Sequence, residues 1–409
     1  MLQNMKKYPI SFWTTTGFNK APAEKVDDWH DLGITLAMGP CDLEHKELVY
    51  EMLDRARYYD MKVILCDPRT GWRNLTHKGE DEYRKDVAEA IKDFGSHPAM
   101  FGFYIGDEPD APDAENAFKA VRINNEMAPH LIAYINLLPW FDWIGPRMGT
   151  DAYAPYLDRA VKEGNSKLLS YDCYAQMWEG KKGYKDYFNN LREYYLASKR
   201  NNVPFFNIVL SCGHYEYRCP TKDDMLWQLT TSVAHGAAGV SWFFIELPGI
   251  WDNYRNAPIN QLGDRTEQFG WLREVNCVFN NYCGEIINTL TIDECYHAIE
   301  AFGGMPMFEP FGCIIDVKSS SGNPLVVSGF HNDEGEKFYV VCNNSPEKSS
   351  HVSLKIKGGV KLMAAAYGNT FQHIHHLSDP IGEKMVDPEQ SIGFYLAPGQ
   401  LKLLKEVKE

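Results

Sequence analysis

Residues 100–112 read MFGFYIGDEPDAP, an apolar run that stops on three acids and two prolines. Phe101, Phe103 and Ile105 suit a buried strand, and carboxylates are costly to bury unless they are paired or functional. Asp107 and Glu108 therefore either brace the end of that strand or act there. Stretches of the same kind recur: YPISFWTTT, GITLAMGP, KVILCDP, HLIAYINLLP, KLLSYDCYA, VPFFNIVLSC and AGVSWFFIELPG bring the count to eight. Between them lie amphipathic, charge-studded segments such as HKELVYEMLDRARYYDM and YRKDVAEAIKDFGSHP, the pattern of helices that cover a parallel sheet. Eight such units over roughly 250 residues predict a (β/α)8 TIM barrel. No GxGxxG or Walker sequence follows the first strand, which argues against a nucleotide-binding doubly wound sheet.

Past residue 290 the texture changes. GCIIDVKSS, PLVVSGFHNDEGEKFYVVCNNS, HVSLKIKGG, VKLMAAAYG and SIGFYLAPGQLKLLKEV are short strands split by Gly, Asn and Asp turns, with NDEGE as a hairpin. The expected fold class is α/β: a barrel over residues 1–290, then a small antiparallel β-sandwich over 291–409 in a structural role.

The 409 residues are 44% hydrophobic and 13% aromatic, a globular composition rather than a disordered one. With 41 Lys and Arg against 55 Asp and Glu, the net charge of -14 removes the attraction on which nucleic-acid binding depends. No run approaches the roughly 20 apolar residues of a membrane span. The start, MLQNMKKYPISFW, has no apolar core or small-residue cleavage site after its lysines. Localisation is therefore expected to be cytoplasmic if that start is native, and periplasmic or secreted if a signal peptide preceded it. Ten cysteines stand singly, without a CxxC pair, and are read as small buried hydrophobes.

In a barrel the functional residues gather at the carboxyl ends of the strands. Side chains alternate faces along a strand. Phe101, Phe103, Ile105 and Asp107 then share the helix-facing side, while Gly102, Tyr104, Gly106 and Glu108 share the other. Glu108 is expected to enter the barrel mouth and Asp107 to turn back as a brace. The same parity points Asp172 inward at the end of the sixth strand. Asp67 ends the third strand, Asn136 the fifth and Glu246 the eighth, where parity decides nothing because both faces are apolar.

Aromatic residues crowd the same places: Trp72, Trp140, Trp143, Tyr174, Trp178, Trp242, Trp251 and Tyr254. Carboxylates and rings together suit carbohydrate, because ring faces stack on the C–H faces of sugars. The segment GIWDNYRNAPINQLGDRT adds Asp252, Asn253, Arg255, Asn260 and Arg265 as groups able to grip sugar hydroxyls or a carboxylate. Asp67, Asp107, Asn136, Trp72, Tyr174, Trp178, Trp242, Trp251, Tyr254 and Arg255 form the expected substrate-binding set.

HPAMFGFYIGDEPD, followed by SYDCYA and HGAAGVSWFFIELPG, resembles the barrel of clan A glycoside hydrolases, in particular β-galactosidase-like relatives of family 42. The resemblance spans residues 8–290, and GFYLAPGQLKLL is similar to the sandwich that closes many such enzymes. It implies that Glu108 is the acid/base at the end of the fourth strand. Two departures stand out. Asp107 replaces the Asn usual before that Glu, a negative neighbour able to raise its pKa. The seventh strand, where the clan carries its nucleophile Glu, ends in Ser211, Cys212 and Gly213. Glu246, Asp172 and Glu216 then compete for the second carboxylate, in that order.

The leading expectation is a glycoside hydrolase with Glu108, Glu246 and Asp172 as catalytic candidates, acting on a carbohydrate substrate without metal or other cofactor. Two alternatives stand beside it: a sugar-binding protein on a hydrolase scaffold, and a metal-dependent barrel enzyme using Asp67, Glu108, Asp172 and His214. Sugar, anomer, linkage and oligomeric state are not legible.

Overall fold

A computed structural model describes residues 5–13, 23–180, 182–247, 253–374 and 391–408. The chain divides into two compact units: Met1–Met5, Pro9–Cys219 and Ala237–Asn276 form the first, and Lys6–Tyr8, Pro220–Gly236 and Cys277–Glu409 the second.

The first unit holds β1 (Ile10–Phe12), β2 (Leu36–Pro40), β3 (Lys62–Cys66), β4 (Met100–Asp107), β5 (Ile132–Asn136), β6 (Leu169–Asp172), β7 (Phe205–Leu210) and β8 (Gly239–Phe243), one in each of the eight apolar stretches. All pairings are parallel and fall into two four-stranded sheets, β2-β3-β4-β5 and β1-β8-β7-β6. Parallel strands are covered on both faces, which is why they read as nearly continuous apolar runs. Hydrogen bonds cross both sheet edges: Leu137 N–H donates to Ser170 O at 2.8 Å, and Thr35 N–H to Ile10 O at 2.9 Å. Intervening helices are amphipathic. In Lys46–Tyr58 the buried residues are Val49, Met52, Leu53 and Ala56, a single stripe at helical spacing.

The second unit is antiparallel. Its strands are β9 (Thr291–Ala298), β10 (Ile314–Ser319), β11 (Leu325–His331), β12 (Lys337–Asn343), β13 (Ser350–Ile356), β14 (Val360–Ala366), β15 (Thr370–His373), β16 (Ser391–Leu396) and β17 (Leu401–Lys408). They form a six-stranded sheet, β15-β14-β17-β12-β11-β9, and a three-stranded one, β10-β13-β16. One apolar core joins the sheets, with Val317, Leu354 and Phe394 from the smaller sheet and Val327, Val341 and Leu404 from the larger. The NDEGE turn links β11 to β12. Asn332 Oδ1 accepts from Glu334 N–H at 3.1 Å and Glu336 N–H at 2.9 Å, and Gly335 supplies the left-handed φ of 77°.

Helix Lys222–Ala234 belongs to this unit and leads to a buried imidazole pair. His235 Nε2 lies 3.1 Å from His297 Nε2, and His235 Nδ1 lies 2.7 Å from Thr231 O. His297 Nδ1 accepts from Phe302 N–H at 3.2 Å, so His297 carries its proton on Nε2 and the pair is satisfied only when neutral. Burial pulls His235 down to about 4 and holds His297 well below its ordinary value. A histidine with a depressed folded pKa contributes stability that is complete above pH 6.5 or so and is lost as pH falls toward 4. Urea unfolding is expected to lose roughly 2 kcal/mol between pH 7 and 4.5 from His235 alone, with His297 adding to the loss. The double substitution His235→Leu/His297→Leu should flatten that slope; parallel slopes would contradict the account.

Candidate active site

The opening motif is built around a bulge. Tyr104 pairs with Tyr134 and Asp107 with Asn136, but Ile105 is skipped in the register. Parity along β4 therefore flips after Tyr104, and Asp107 turns to the Tyr104 side instead of the helix side expected from simple alternation. Gly106 makes this possible. Its φ is 155°, and a Cβ there would stand 2.2 Å from Trp72 Cδ1. Glu108 follows with a left-handed φ of 41°, its N–H donating to Asn136 O at 3.0 Å. Strain of this kind in a non-glycine residue is held where the surroundings over-determine it.

Three carboxyl groups gather there. Asn136 Nδ2 donates to Asp107 Oδ1 at 3.0 Å and to Asp172 Oδ1 at 2.7 Å. Glu108 and Tyr174 lie close enough to Asp172 to act on its carboxyl. Beneath them Tyr134 O–H and Ser170 Oγ are 2.6 Å apart, and Ser170 Oγ donates to Asn136 Oδ1 at 3.4 Å. This polar chain fixes which face of the Asn136 amide meets the acids.

Burial is the largest cause that raises Glu108, followed by the charges of Asp172 and Asp107. Burial also raises Asp172, against the donors Asn136, Glu108 and Tyr174. Among the described residues the one cationic partner of Glu108 is the Arg147 guanidinium, 3.8 Å away, which opposes the rise without cancelling it, so Glu108 is the carboxyl favoured to keep a proton beside Asp172. Asp107 is pushed up to about 7, by burial first and by Asp172 next, although part of its carboxylate reaches solvent. Removing the Asp172 charge should lower the pKa of Glu108. Asp172→Asn is thus expected to move the alkaline limb of a kcat/KM profile down by about one pH unit, and an unmoved limb would refute that effect of Asp172.

The other expected residues divide. Asp67 is fully enclosed and bidentate to Arg69, at 3.0 Å from Nε and 2.7 Å from Nη2, so both its oxygens are engaged in bracing a strand end. Trp72 is buried behind Gly106, and Trp242 is fully buried with Nε1 donating to Asn276 at 3.1 Å. Both are packing rather than open platforms; the apolar eighth strand hid this from parity. Trp251 and Asp252 lie outside the described residues. Tyr174, Trp178 and Tyr254 do assemble, together with His214 and Tyr217. Trp178 stacks on Tyr217 at 5.9 Å, Tyr254 on His214 at 5.6 Å, and Tyr174 meets His214 edge-on at 5.4 Å. Glu216 is exposed. Among the described residues, no three of His, Cys, Asp and Glu are arranged to hold a metal ion.

Glu246 is engaged elsewhere. Its Oε1 meets Lys25 Nζ at 2.5 Å, while Oε2 is buried without a partner among the described residues. Lys25 and Arg147 had no sequence signal, since each reaches its carboxylate from a loop or helix end distant in the chain.

No protein-family model matches the sequence, and no curated protein matches it. Solved structures do. A family 39 glycoside hydrolase from the gut symbiont Bacteroides cellulosilyticus matches with a TM-score of 0.51 at 12% identity, over 99% of this chain and 82% of that one. The β-galactosidase of the haloarchaeon Halorubrum lacusprofundi gives 0.49 at 11%, over 68% and 58%. A Saccharomyces cerevisiae Gas2p mutant in complex with laminaritetraose and laminaripentaose gives 0.48 at 13%, over 66% and 63%. The chain thus spans less than two thirds of the Gas2p and β-galactosidase chains. The likeness to the family 39 structure is one of fold.

Proposed function

We propose that the chain is a glycoside hydrolase whose eight parallel strands close into a (β/α)8 barrel over residues 1–290, followed by a β-sandwich over 291–409. The observation that carries the reading is the gathering of Glu108, Asp172 and Asp107 around Asn136, where burial and the two neighbouring charges raise Glu108 and favour its protonated form. A protonated carboxyl at neutral pH is what a glycosidic oxygen needs from its general acid. The fold likeness to the family 39 glycoside hydrolase supports the same reading.

In the proposed mechanism Glu108 gives its proton to the leaving-group oxygen as the bond to the anomeric carbon breaks. Asp172 and Asp107 hold that proton on Glu108 until transfer. Glu246, ion-paired with Lys25, is the ionised carboxylate that attacks the anomeric carbon or activates a water. Asn136 orients the acids. Trp178 and Tyr254 offer ring faces to the sugar, with the buried Tyr174 packed behind them, and Arg255 offers a cation. The expected partner is a carbohydrate.

A second reading has an observation of its own: Ser211 and Cys212 follow the end of β7, so a sugar-binding protein on a hydrolase scaffold is the alternative. A panel of aryl glycosides and oligosaccharides, followed by NMR for released sugar and its anomer, separates them. Turnover lost in Glu108→Gln supports the hydrolase; binding without any turnover supports the alternative.

A further inference from the structure

The end of β7 lacks a carboxylate but carries a cation built into the backbone. Gly213 N–H donates to Arg255 O at 2.9 Å, and Arg255 N–H to Gly213 O at 3.0 Å. A Cβ on Gly213 would stand 2.6 Å from Cys219 Sγ and 3.3 Å from Arg255 Cγ and Cζ, so the missing side chain is what lets the arginine lie across this strand end. The guanidinium is pinned by carbonyls, Nη1 donating to Asn253 O at 3.3 Å and Nη2 to Tyr217 O at 3.0 Å.

Arg69, Arg147 and Arg265 each meet a carboxylate. Arg255 meets none among the described residues and stays exposed. Beside it His214 is 4% exposed, with Nδ1 buried and unpartnered among the described residues. Two neighbours tie the place to the carboxyl cluster. Tyr174 follows Asp172 by two residues at the end of β6 and meets the His214 ring edge-on at 5.4 Å, and Tyr217 meets the Tyr174 ring edge-on at 5.8 Å.

We propose that Arg255 is the receptor for a negatively charged substituent of the substrate, a uronic-acid carboxylate, on the sugar unit next to the one served by Glu108. The proposal rests on the hydrolase reading for the position of that sugar. A guanidinium whose plane is fixed by two carbonyls has donors left for a bidentate carboxylate, at little further entropic cost. A chain of net charge -14 repels an anionic sugar at long range, so capturing one requires a fixed local cation of this kind. A sulfate ester presents the same chemistry and is the second source to test.

Binding is measured by calorimetry in the Glu108→Gln protein, where proton donation is removed. The probes are a panel of glucuronate-bearing disaccharides, their carboxyl-reduced counterparts, and neutral disaccharides bearing one sulfate. A uronate is expected to bind about 10-fold or more tightly than its reduced counterpart. Adding Arg255→Gln should erase that difference between the charged and the reduced sugar. Arg255→Lys, which keeps the charge but not the fork, should retain only part of it and serves if the Gln variant does not fold. Tighter binding of the sulfated sugars with the same Arg255 dependence keeps the receptor and reassigns its anion. Equal affinity for charged and neutral members, or a preference that survives Arg255→Gln, overturns the proposal. Cleavage of neutral glycosides by the wild-type protein without charge preference would leave the hydrolase standing alone; an Arg255-dependent preference without cleavage would do the reverse.

Discussion

Glu108→Gln is expected to lower kcat/KM by about 10²- to 10⁴-fold on glycosides with poor leaving groups, the range that general acid catalysis supplies. The amide is nearly isosteric, but it has no proton to give. The loss should shrink on aryl glycosides whose phenolate departs without protonation. Their pH profile should also lose its alkaline limb, because that limb reports the ionisation of Glu108. Glu108 is raised by burial and by two negative neighbours, so the limb belongs above neutrality. Equal activity of Glu108→Gln and wild type on an unactivated oligosaccharide would remove the acid from this residue.

The carboxylates at the end of β4 were legible because β4 is an apolar strand that ends in charge. All eight barrel-type strands could be read for the same reason: each is covered on both faces and leaves a continuous run. The face on which Asp107 lies could not be read by alternation, since the bulge at Ile105 resets the period. Gly106 was the available signal, a glycine inside a strand being a mark of bulges and close approaches. In the second unit β9 and β15 lie at the two edges of their sheet. Edge strands bury little. The buried residues of β9 are Cys295, His297 and Ala298, and those of β15 are none, so neither leaves an apolar pattern. Proximities such as Lys25 to Glu246 and Arg147 to Glu108 are tertiary, and residue spacing carries no trace of them.

Glu246→Gln is expected to cost at least about 10³-fold in turnover, because a neutral amide neither attacks an anomeric carbon nor takes a proton from water. The backbone around the side chain is fixed. Leu247 N–H donates to Ile259 O at 3.0 Å and Ile259 N–H to Ile245 O at 2.8 Å, which pins the backbone on both sides. Lys25 occupies Oε1 at 2.5 Å, and Oε2 is without a protein partner among the described residues, an acceptor left for a water or a sugar carbon. Lys25→Met should cost less, about 10-fold, by loosening the ion pair. Asp172→Asn should leave turnover near its optimum pH largely intact, because Asp172 acts on Glu108 and is held by Asn136 at 2.7 Å rather than standing across the barrel from the acid. If Asp172→Asn is the more damaging change, the second carboxylate is Asp172. The product anomer decides the geometry independently. Strands four and eight of a closed barrel face each other, so Glu108 and Glu246 are expected to stand about 6.5–9.5 Å apart with a water between them and to invert the anomer. A retained anomer together with inactive Glu246→Gln would mean that the two side chains close to about 5–5.5 Å over the sugar, with Glu246 as nucleophile. A retained anomer with an active Glu246→Gln would take the residue out of the reaction and leave its ion pair with Lys25 a structural one.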